Sequence, residues 1–555
     1  MRVRARAEDG YTMIAAIGAV TLISVLAAAA LAASNGDLGL VQRNLDSKRA
    51  HAAAQAGIAN YSFHLNNDNS YWSRCTEVPE PNAINQERDT PEEVLKKRSL
   101  PESDSASYAI ELLPATGAEE CDPDNPVETM LEQGDSGGET GSNVGSFRIR
   151  STGYAGDAEV SLVATYKRAS LLDYVYFTQY ETSDPVTYGT QTWSSNIEPH
   201  CARFIREGRQ SASIPGSSGR YCDKIVFPSN DEINGPLHTN DNLVISGSPT
   251  FGRDASDVTE VGAPEVPPNG WHACSSLKPD TLCSTANPTF KGPFVTTAPV
   301  LKPPKTNGKL KDLAGDDYLF ECQTTIELEG DTIEVTTRWE NEVEMPFPPD
   351  GVIYVANGVC PDKGSTAWSS CKSDDYSPFQ ATYPAGSDCG NVKVYGEYSD
   401  DLTIAAENHI IVWNELERVD DSPGILGLIA NKFVRVRHPY SDINDTTMGS
   451  CGGDEGSFNP INRIDAAILA IDHSFIVDHY DCGNDLGTLT VNGAISQKYR
   501  GAVGVTYSSS KHTGYEKNYQ YDDRLRYMEP PHFLNPVEPS WHIRRETLDF
   551  PKADE

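Results

Sequence analysis

The sequence has few of the features on which most enzymes and nucleic-acid-binding proteins depend. Basic residues number 45 against 80 acidic ones, giving a net charge of −35. Such a chain repels phosphate backbones, so nucleic acid is excluded as a partner. Cys-x-x-Cys pairs, His-Glu-x-x-His motifs and P-loops are absent from the sequence, so zinc-ribbon, zincin and P-loop functions lack their usual motifs. We therefore expect a structural, non-enzymatic protein without a cofactor.

Cysteine is present in an even number, twelve. Without Cys-x-x-Cys pairs, this number indicates disulfides that form in an oxidising compartment. The sequence leaves the connectivity open, and local closures are the simplest interpretation. These closures would join Cys201 with Cys222, Cys274 with Cys283, Cys371 with Cys389, and Cys451 with Cys482. Free buried thiols are the alternative.

The N-terminus indicates export. Three arginines lie among the first six residues, and an uncharged apolar run follows over residues 11–33. A helix needs about 20 such residues to span a bilayer, and the arginines favour a cytoplasmic N-terminus. We predict a single-pass membrane protein whose bulk lies outside the cytoplasm at the cell surface. Signal-peptide cleavage near Ala33, with release of the product, is the alternative.

The apolar run continues into an amphipathic pattern. Between residues 37 and 65, apolar side chains recur at near-helical spacing among polar ones; they include Leu38, Val41, Leu45, Ile58 and Phe63. The membrane helix is therefore predicted to extend outward, as one helix over residues 11–65.

A short basic leader that ends in glycine, followed by a helix that is first apolar and then amphipathic, resembles the N-terminus of type IV pilins. In detail the region is similar to the PilX-type N-terminal domain, with a leader over residues 1–10 and the stretch LVQRNLDSKRAHAAAQAGIANYSFHL. The resemblance implies that a prepilin peptidase cleaves between Gly10 and Tyr11, and that the helix packs with other pilin or pseudopilin subunits. Major pilins have glutamate at the fifth mature position, which here is Ala15, so a minor subunit is favoured.

The next regions differ in composition. Residues 66–145 are acidic and rich in Pro, Ser and Gly, which predicts loops. Within residues 146–170, FRIRSTGY and EVSLVATYKRA alternate apolar and polar residues around a Gly-Asp turn and predict two paired strands. This β connector also resembles the one that follows the helix in PilX-type proteins.

Short strands dominate the chain from about residue 171. Two β-rich regions are predicted, a disulfide-containing one over 171–345 and another over 346–510. Strands recur at intervals of roughly 20 to 35 residues with Asn-Asp or Asn-Gly turns, which favours a parallel β-solenoid. Antiparallel β-sandwich domains would satisfy the same strands. Residues 511–555 are interpreted as a C-terminal strap along the solenoid. The predicted fold class is therefore mainly β with one long N-terminal α-helix.

One segment concentrates possible metal ligands. IDAAILAIDHSFIVDHYDCG contains Asp472, His473, Asp478, His479 and Asp481. Side chains of these types could converge on calcium or a transition metal. However, strand alternation places the first two on opposite faces, so a solvated surface is the preferred interpretation and calcium the alternative.

These observations predict a membrane-anchored surface protein that acts as a minor pilin or pilus-assembly component. Its partners would be pilin or pseudopilin subunits, the prepilin peptidase and the membrane, with a surface ligand that the sequence does not identify. Two other functions fit the same sequence. One is a membrane-tethered or released carbohydrate-binding or carbohydrate-active β-helix protein, which an acidic groove would favour. The other is a type II secretion pseudopilin.

Overall fold

The chain divides into two compact units. Unit 1 comprises Met1–Arg168 and Trp541–Glu555, and unit 2 comprises Ala169–Ser540. The structure is a computed structural model that describes residues 9–67, 71–73, 97–100, 103–119, 121–122, 125–132, 146–168, 170–188, 194–207, 209, 213–217, 222–262, 271–273, 286–361, 368–370, 378–379, 381, 389–439, 458–508, 511–526, 528–537 and 541–549.

Strands make up most of the regular structure. The α-helices among the described residues are α1 (Asp9–Asn67), α2 (Pro126–Met130), α3 (Ser194–Cys201) and α4 (Lys309–Leu313). The strands are β1 (Arg98–Leu100), β2 (Ser103–Leu113), β3 (Ser146–Ala155), β4 (Ala158–Arg168), β5 (Tyr176–Ser183), β6 (Glu232–Asn234), β7 (Leu237–Thr239), β8 (Leu243–Ile245), β9 (Thr250–Phe251), β10 (Thr259–Val261), β11 (Trp271–Ala273), β12 (Thr289–Phe290), β13 (Phe294–Thr296), β14 (Leu319–Glu321), β15 (Thr324–Gly330), β16 (Thr332–Thr336), β17 (Val343–Pro346), β18 (Val352–Ala356), β19 (Val359–Pro361), β20 (Trp368–Ser370), β21 (Val392–Tyr398), β22 (Leu402–Ala406), β23 (Ile410–Arg418), β24 (Leu426–Ala430), β25 (Val434–Val436), β26 (Arg463–Ala470), β27 (Phe475–Val477), β28 (Asp485–Arg500), β29 (Gly504–Ser508), β30 (Lys511–Tyr521) and β31 (Trp541–Asp549).

Unit 1 consists of the long helix α1 and an antiparallel sheet in the order β1-β2-β3-β4-β31. The tight turn between β3 and β4 contains Gly156 and Asp157, and Ala155 pairs with Ala158 across it. Gly156 has φ of 56°, a left-handed conformation that glycine adopts without a steric penalty. The two alternating runs of the predicted connector therefore form this hairpin.

Unit 2 is inserted into the sheet of unit 1 along the chain. Strand β4 ends at Arg168, and the chain returns to unit 1 only at Trp541, the register partner of Arg168 at the start of β31. The region predicted as one strap, 511–555, is thus divided. Its first strand, β30, belongs to unit 2, whereas β31 pairs with β4 because Trp541 enters the core of unit 1.

Parallel strand pairs dominate unit 2. The first ladder has the order β14-β18-β22-β24-β26-β28-β5-β7-β10-β13, with every neighbouring pair parallel. Apolar side chains occupy equivalent positions along it and form one row of the core: Ile353, Ile404, Leu428, Ile468, Ile495, Tyr176 and Leu237. Neighbouring strands of a sheet lie about 4.8 Å apart, so these side chains stack on one another along the ladder and bury one another.

Two further parallel ladders complete the core. The second runs β15-β21-β23-β26-β28-β30-β6-β9-β12, and the third runs β21-β23-β25-β27. Strands β16 and β17 extend β15 as an antiparallel meander. The two β regions predicted as 171–345 and 346–510 therefore lie in one unit, because the ladders contain strands from both.

The order of the ladders does not follow the chain. In the first ladder, the strands from β14 to β28 form one end and those from β5 to β13 form the other. The two groups meet where β28, late in the sequence of unit 2, pairs with β5, its first strand. We call the β28–β5 and β30–β6 pairs the seam, since they join two parts of unit 2 that are far apart in sequence.

The prediction of a mainly β chain is confirmed.

Candidate functional site

The N-terminal part of α1 exposes a large apolar surface. Six side chains there are 57–68% exposed: Ile17, Val20, Leu22, Ile23, Val25 and Leu26. We call these six residues the α1 apolar surface. Contiguous apolar patches on soluble monomers usually mark protein or membrane contacts. Within the described part of the chain, no helix is both long enough and apolar enough to cross a membrane.

Small residues bring the C-terminal part of α1 close to the sheet. Ala50 and Ala54 are fully buried in α1. A Cβ on Gly153 of β3 would lie 1.9 Å from the carbonyl oxygen of Ala50, so the helix and strand backbones pack there without an intervening side chain. The hydroxyl of Ser151 donates a hydrogen bond of 2.8 Å to the carbonyl oxygen of Ala54. The helix is therefore held at a defined distance from the sheet.

An aromatic cluster fixes the end of α1 on the same sheet. Tyr61 of α1 packs against Phe147 and Tyr166, with ring centroids 6.0 and 5.6 Å away. Phe147 and Tyr166 are themselves stacked at 5.1 Å, and Trp541 of β31 meets Phe147 edge-on at 4.8 Å. Burial raises the pKa of Tyr61 and of Tyr166, so both phenols stay neutral. Strand β31 thus contributes to the core that holds α1.

The structure places two of the predicted metal ligands against separate charged partners. The carboxylate of Asp472 lies 3.6 Å from the ammonium group of Lys432. The Nδ1 atom of His473 lies 3.0 Å from the buried carboxylate of Asp184, and its ring stacks on Phe433 at 4.4 Å. Both side chains therefore have protein partners of their own.

The other three candidates are buried. Asp478 accepts two hydrogen bonds from the guanidinium of Arg435, at 3.0 and 2.9 Å. His479 lies with its Nδ1 atom 2.8 Å from the carbonyl oxygen of His438, and Asp481 is 3% exposed. Among the described residues, no three His, Cys, Asp or Glu side chains are grouped so that they could hold a metal ion. Asp478 and His479 do not fit the preferred interpretation of a solvated surface, because both side chains are buried and contact other residues of the protein interior.

One predicted disulfide is present. Cys201 and Cys222 are bonded, with their Cα atoms 5.7 Å apart, and they close a loop that contains Arg209. Each of four further cysteines, Cys121, Cys322, Cys389 and Cys482, also takes part in a disulfide, and no pairing was predicted for the first two. The remaining predicted disulfide residues lie outside the described residues: Cys274, Cys283, Cys371 and Cys451.

Two rows of glutamates on unit 2 were not predicted from the sequence. In the first row the register partners are Glu327, Glu334 and Glu344, and in the second they are Glu329, Glu397 and Glu417. Like charges directly opposite each other in a sheet are destabilising. Partial desolvation, followed by repulsion from the neighbouring glutamates, raises the pKa of Glu334. Alternating glutamates in IELEGDTIEV were the available signal, but their alignment depends on strand register.

A cluster of four buried charges spans the seam. The ammonium group of Lys517 in β30 lies 2.7 Å from the carboxylate of Asp231, just before β6. Arg500 of β28 lies 3.2 Å from Glu181 of β5 and 3.7 Å from Asp231. All four side chains are at most 9% exposed. We call Lys517, Asp231, Arg500 and Glu181 the seam cluster.

Burial shifts the titration of two of these groups. Desolvation raises the pKa of Glu181 despite the nearby guanidinium of Arg500. Desolvation also lowers the pKa of Lys517, and Arg500 adds to this effect although Asp231 opposes it. Both shifts favour the neutral form of the group, as expected for charges in an apolar interior.

Comparison with known proteins gives little. No protein-family profile matches the sequence, and no curated protein matches it. Among solved structures, the chain is similar to the competence-associated pilin ComZ from Thermus thermophilus. The two share 12% identity over 91% of this chain and 98% of that chain, with a TM-score of 0.27. This likeness to a pilin is distant, and at that TM-score it carries no argument about the fold or the function.

Proposed function

We propose that the chain is a minor pilin or pilus-assembly component in which unit 1 assembles and unit 2 is displayed. The observation that carries this proposal is the division of α1. Its C-terminal part is fixed on an antiparallel sheet, whereas the α1 apolar surface is exposed. At 1.5 Å per residue the 59-residue helix is about 90 Å long, so its free part reaches well beyond the sheet.

The α1 apolar surface would contact lipid before assembly and other pilin helices afterwards. Helices that leave lipid for a protein bundle gain van der Waals packing rather than hydrophobic stabilisation. Small residues favour such packing because they let backbones approach closely. Residues 11–33 contain many alanines and one glycine, Gly18. Insertion of the helix in the membrane and its later transfer to a filament therefore require no covalent chemistry in unit 1 beyond cleavage of the leader.

Processing and location complete the proposal. A prepilin peptidase would cut between Gly10 and Tyr11, with the leader in the cytoplasm and the bulk of the chain at the cell surface. Ala15 takes the position of the conserved glutamate of major pilins, which supports a minor rather than a major subunit. A pseudopilin of a secretion system would use the same helix. The identity of the subunits that this chain assembles with distinguishes a minor pilin from a pseudopilin.

For unit 2 we propose a parallel β-solenoid that acts without catalysis as the displayed part. The support is that all three ladders consist of parallel pairs and share one buried core. In such a stack each coil is stabilised mainly by its neighbours, which produces long side surfaces for contact with a ligand. The glutamate rows lie on one of these surfaces.

The insertion of unit 2 makes the proposed division of labour testable. Residues 169–540 can be replaced by a two-residue Asn-Gly turn, because Arg168 and Trp541 are register partners and such turns join paired antiparallel strands. We expect this variant to keep the sheet and to enter the membrane and sheared-filament fractions as the full chain does, as measured by immunoblotting.

Deletion of residues 346–555 is the matched control. It leaves α1 intact but removes β31, and with it Trp541 from the core that holds α1. We expect this variant to lose filament incorporation. If the Asn-Gly variant folds but fails to reach the filament fraction, unit 1 is not the assembling part and the proposal is wrong.

A further inference from the structure

Lys517 occupies a position that belongs to the apolar core. In β30, Tyr515, Tyr519 and Tyr521 are buried with Lys517, whereas the residues between them are partly exposed. The alternation of a strand therefore directs this lysine to the same side as three core tyrosines. Lysine is almost never fully buried unless it is paired. A lysine at such a position indicates a specific role.

Asp231, the partner of Lys517, lies close enough to react with it. Asp231 immediately precedes β6, whose first residue pairs with Asn518, so the two strands hold Lys517 and Asp231 side by side. The distance between Nζ and the nearer carboxylate oxygen is 2.7 Å. The atom that Nζ would attack is Cγ, which is bonded directly to this oxygen. A nucleophile and an electrophile held next to each other in a folded site react as if at very high effective concentration.

We propose that Lys517 and Asp231 condense to form an intramolecular isopeptide bond across the seam. A proton moves from the ammonium group of Lys517 to the carboxylate of Asp231, which yields an amine and a carboxylic acid. The Nζ lone pair then attacks Cγ of Asp231 and forms the C–N bond. The C–O bond to the hydroxyl breaks, and the second amine proton leaves with that hydroxyl as water. The reaction requires no oxidant or other reactant.

Burial favours the neutral amine form of Lys517. Desolvation lowers the pKa of Lys517, which favours the nucleophilic amine. Two buried charges carry a desolvation penalty that their mutual attraction must offset, and conversion to a neutral amide removes this penalty. The buried site also keeps water away from the product, so hydrolysis is suppressed.

Arg500 can stabilise charge that develops on Asp231 during the attack. One of its terminal nitrogens lies 3.7 Å from the Asp231 carboxylate and the other lies 3.2 Å from Glu181. The same guanidinium donates to the carbonyl oxygens of Ile225 and Val226, at 3.1 Å each. These contacts hold the cation in place in a dry site, where a preorganised charge is most effective. Glu181 is thus a positioning residue.

The bond would lock the seam. It links β30 to the start of β6, and these strands come from opposite ends of the unit 2 sequence. A covalent link between distant positions reduces the conformational freedom of the unfolded chain, as a disulfide does. Unlike a disulfide it resists reduction. For a displayed unit this would provide stability that does not depend on the redox state of the surroundings.

Peptide mass spectrometry of the purified full chain, reduced and digested with trypsin, tests the proposal. An isopeptide bond prevents cleavage after Lys517. It is expected to give a branched product that joins residues 225–253 to residues 512–524 and is lighter than their sum by one water molecule. Fragmentation should locate the link at Lys517 and Asp231. Recovery of the two peptides unlinked, with cleavage after Lys517, would overturn the proposal without any variant.

Variants identify the reacting groups. Lys517→Met and Asp231→Ala should abolish the branched product, whereas Lys498→Met, which removes a more exposed lysine near the seam, should leave it unchanged. Asp231→Asn should still form the same product, since an amide can lose ammonia instead of water. Glu181→Gln should slow its appearance after folding while the chain remains folded by circular dichroism. A branched product that survives Lys517→Met would show that another lysine reacts, which also contradicts the proposal.

Discussion

Replacement of Arg500 by methionine is expected to lower the free energy of unfolding of unit 2 by about 3 to 5 kcal/mol. The side chain is 1% exposed, and it is the guanidinium partner of the fully buried Glu181. It also lies 3.4 Å from the ring centroid of Phe227. Methionine can fill much of the volume but leaves Glu181 without its cation and two carbonyl oxygens without their donor. Urea unfolding monitored by circular dichroism measures the change.

Lys498→Met is the matched control for Arg500→Met. Lys498 lies two residues earlier in β28 and pairs with Glu198 at 3.7 Å, but both side chains are much more exposed, at 24% and 64%. Exposed ion pairs contribute about 0 to 1 kcal/mol, so this variant should unfold almost as the unchanged chain does. Similar losses in the two variants would contradict the view that the seam depends on buried charge pairing.

Gly153→Ala is expected to destabilise unit 1 by about 3 kcal/mol, near the upper end of the usual cost of overpacking. The added Cβ would lie 1.9 Å from the carbonyl oxygen of Ala50 and 2.5 Å from the amide nitrogen of Ala54. Both atoms belong to the backbone of α1, which cannot change rotamer to make room. The helix must therefore move away from the sheet and weaken the aromatic cluster beneath it. Thermal unfolding of the Asn-Gly turn variant measures this loss in unit 1 alone.

The control for Gly153→Ala is Gly308→Ala, introduced in the full chain. At Gly308 the nearest atom to a new Cβ is the hydroxyl oxygen of Thr306, at 3.5 Å, and φ is −55°, which alanine readily adopts. We expect a change within about 0.5 kcal/mol. If Gly153→Ala changes the free energy of unfolding as little as Gly308→Ala does, α1 does not pack on β3 as described.

Local patterns predicted part of the fold correctly. The prediction of loops over residues 66–145 was wrong in part, because β1 and β2 lie there and pair into the sheet of unit 1. Alternation in FRIRSTGY and EVSLVATYKRA indicated two strands, which are β3 and β4. The cysteine spacing also suggested the Cys201–Cys222 disulfide, whose partners are close in sequence. In each of these cases the interacting residues are neighbours along the chain, so a short window contains the necessary information.

Local sequence patterns could not predict which strands pair when they are far apart along the chain. Nothing near Trp541 indicates that β31 completes a sheet that begins before residue 170, and nothing in β5 indicates that it pairs with β28. The metal-ligand prediction encountered a related limit, because the partner of His473 is Asp184, far away in sequence. The alternation of Lys517 with three tyrosines was visible in the sequence, but Asp231 could be identified as its partner only from the fold.

The mature N-terminal residue of the protein in the membrane fraction, determined by mass spectrometry, tests the central claim most directly. The account predicts a chain that begins at Tyr11, since a prepilin peptidase would remove the leader that ends at Gly10 before the α1 apolar surface can enter a filament. A chain that begins at Met1 or near Ala33 would contradict it, because neither an uncut leader nor a released product is compatible with assembly as a pilin.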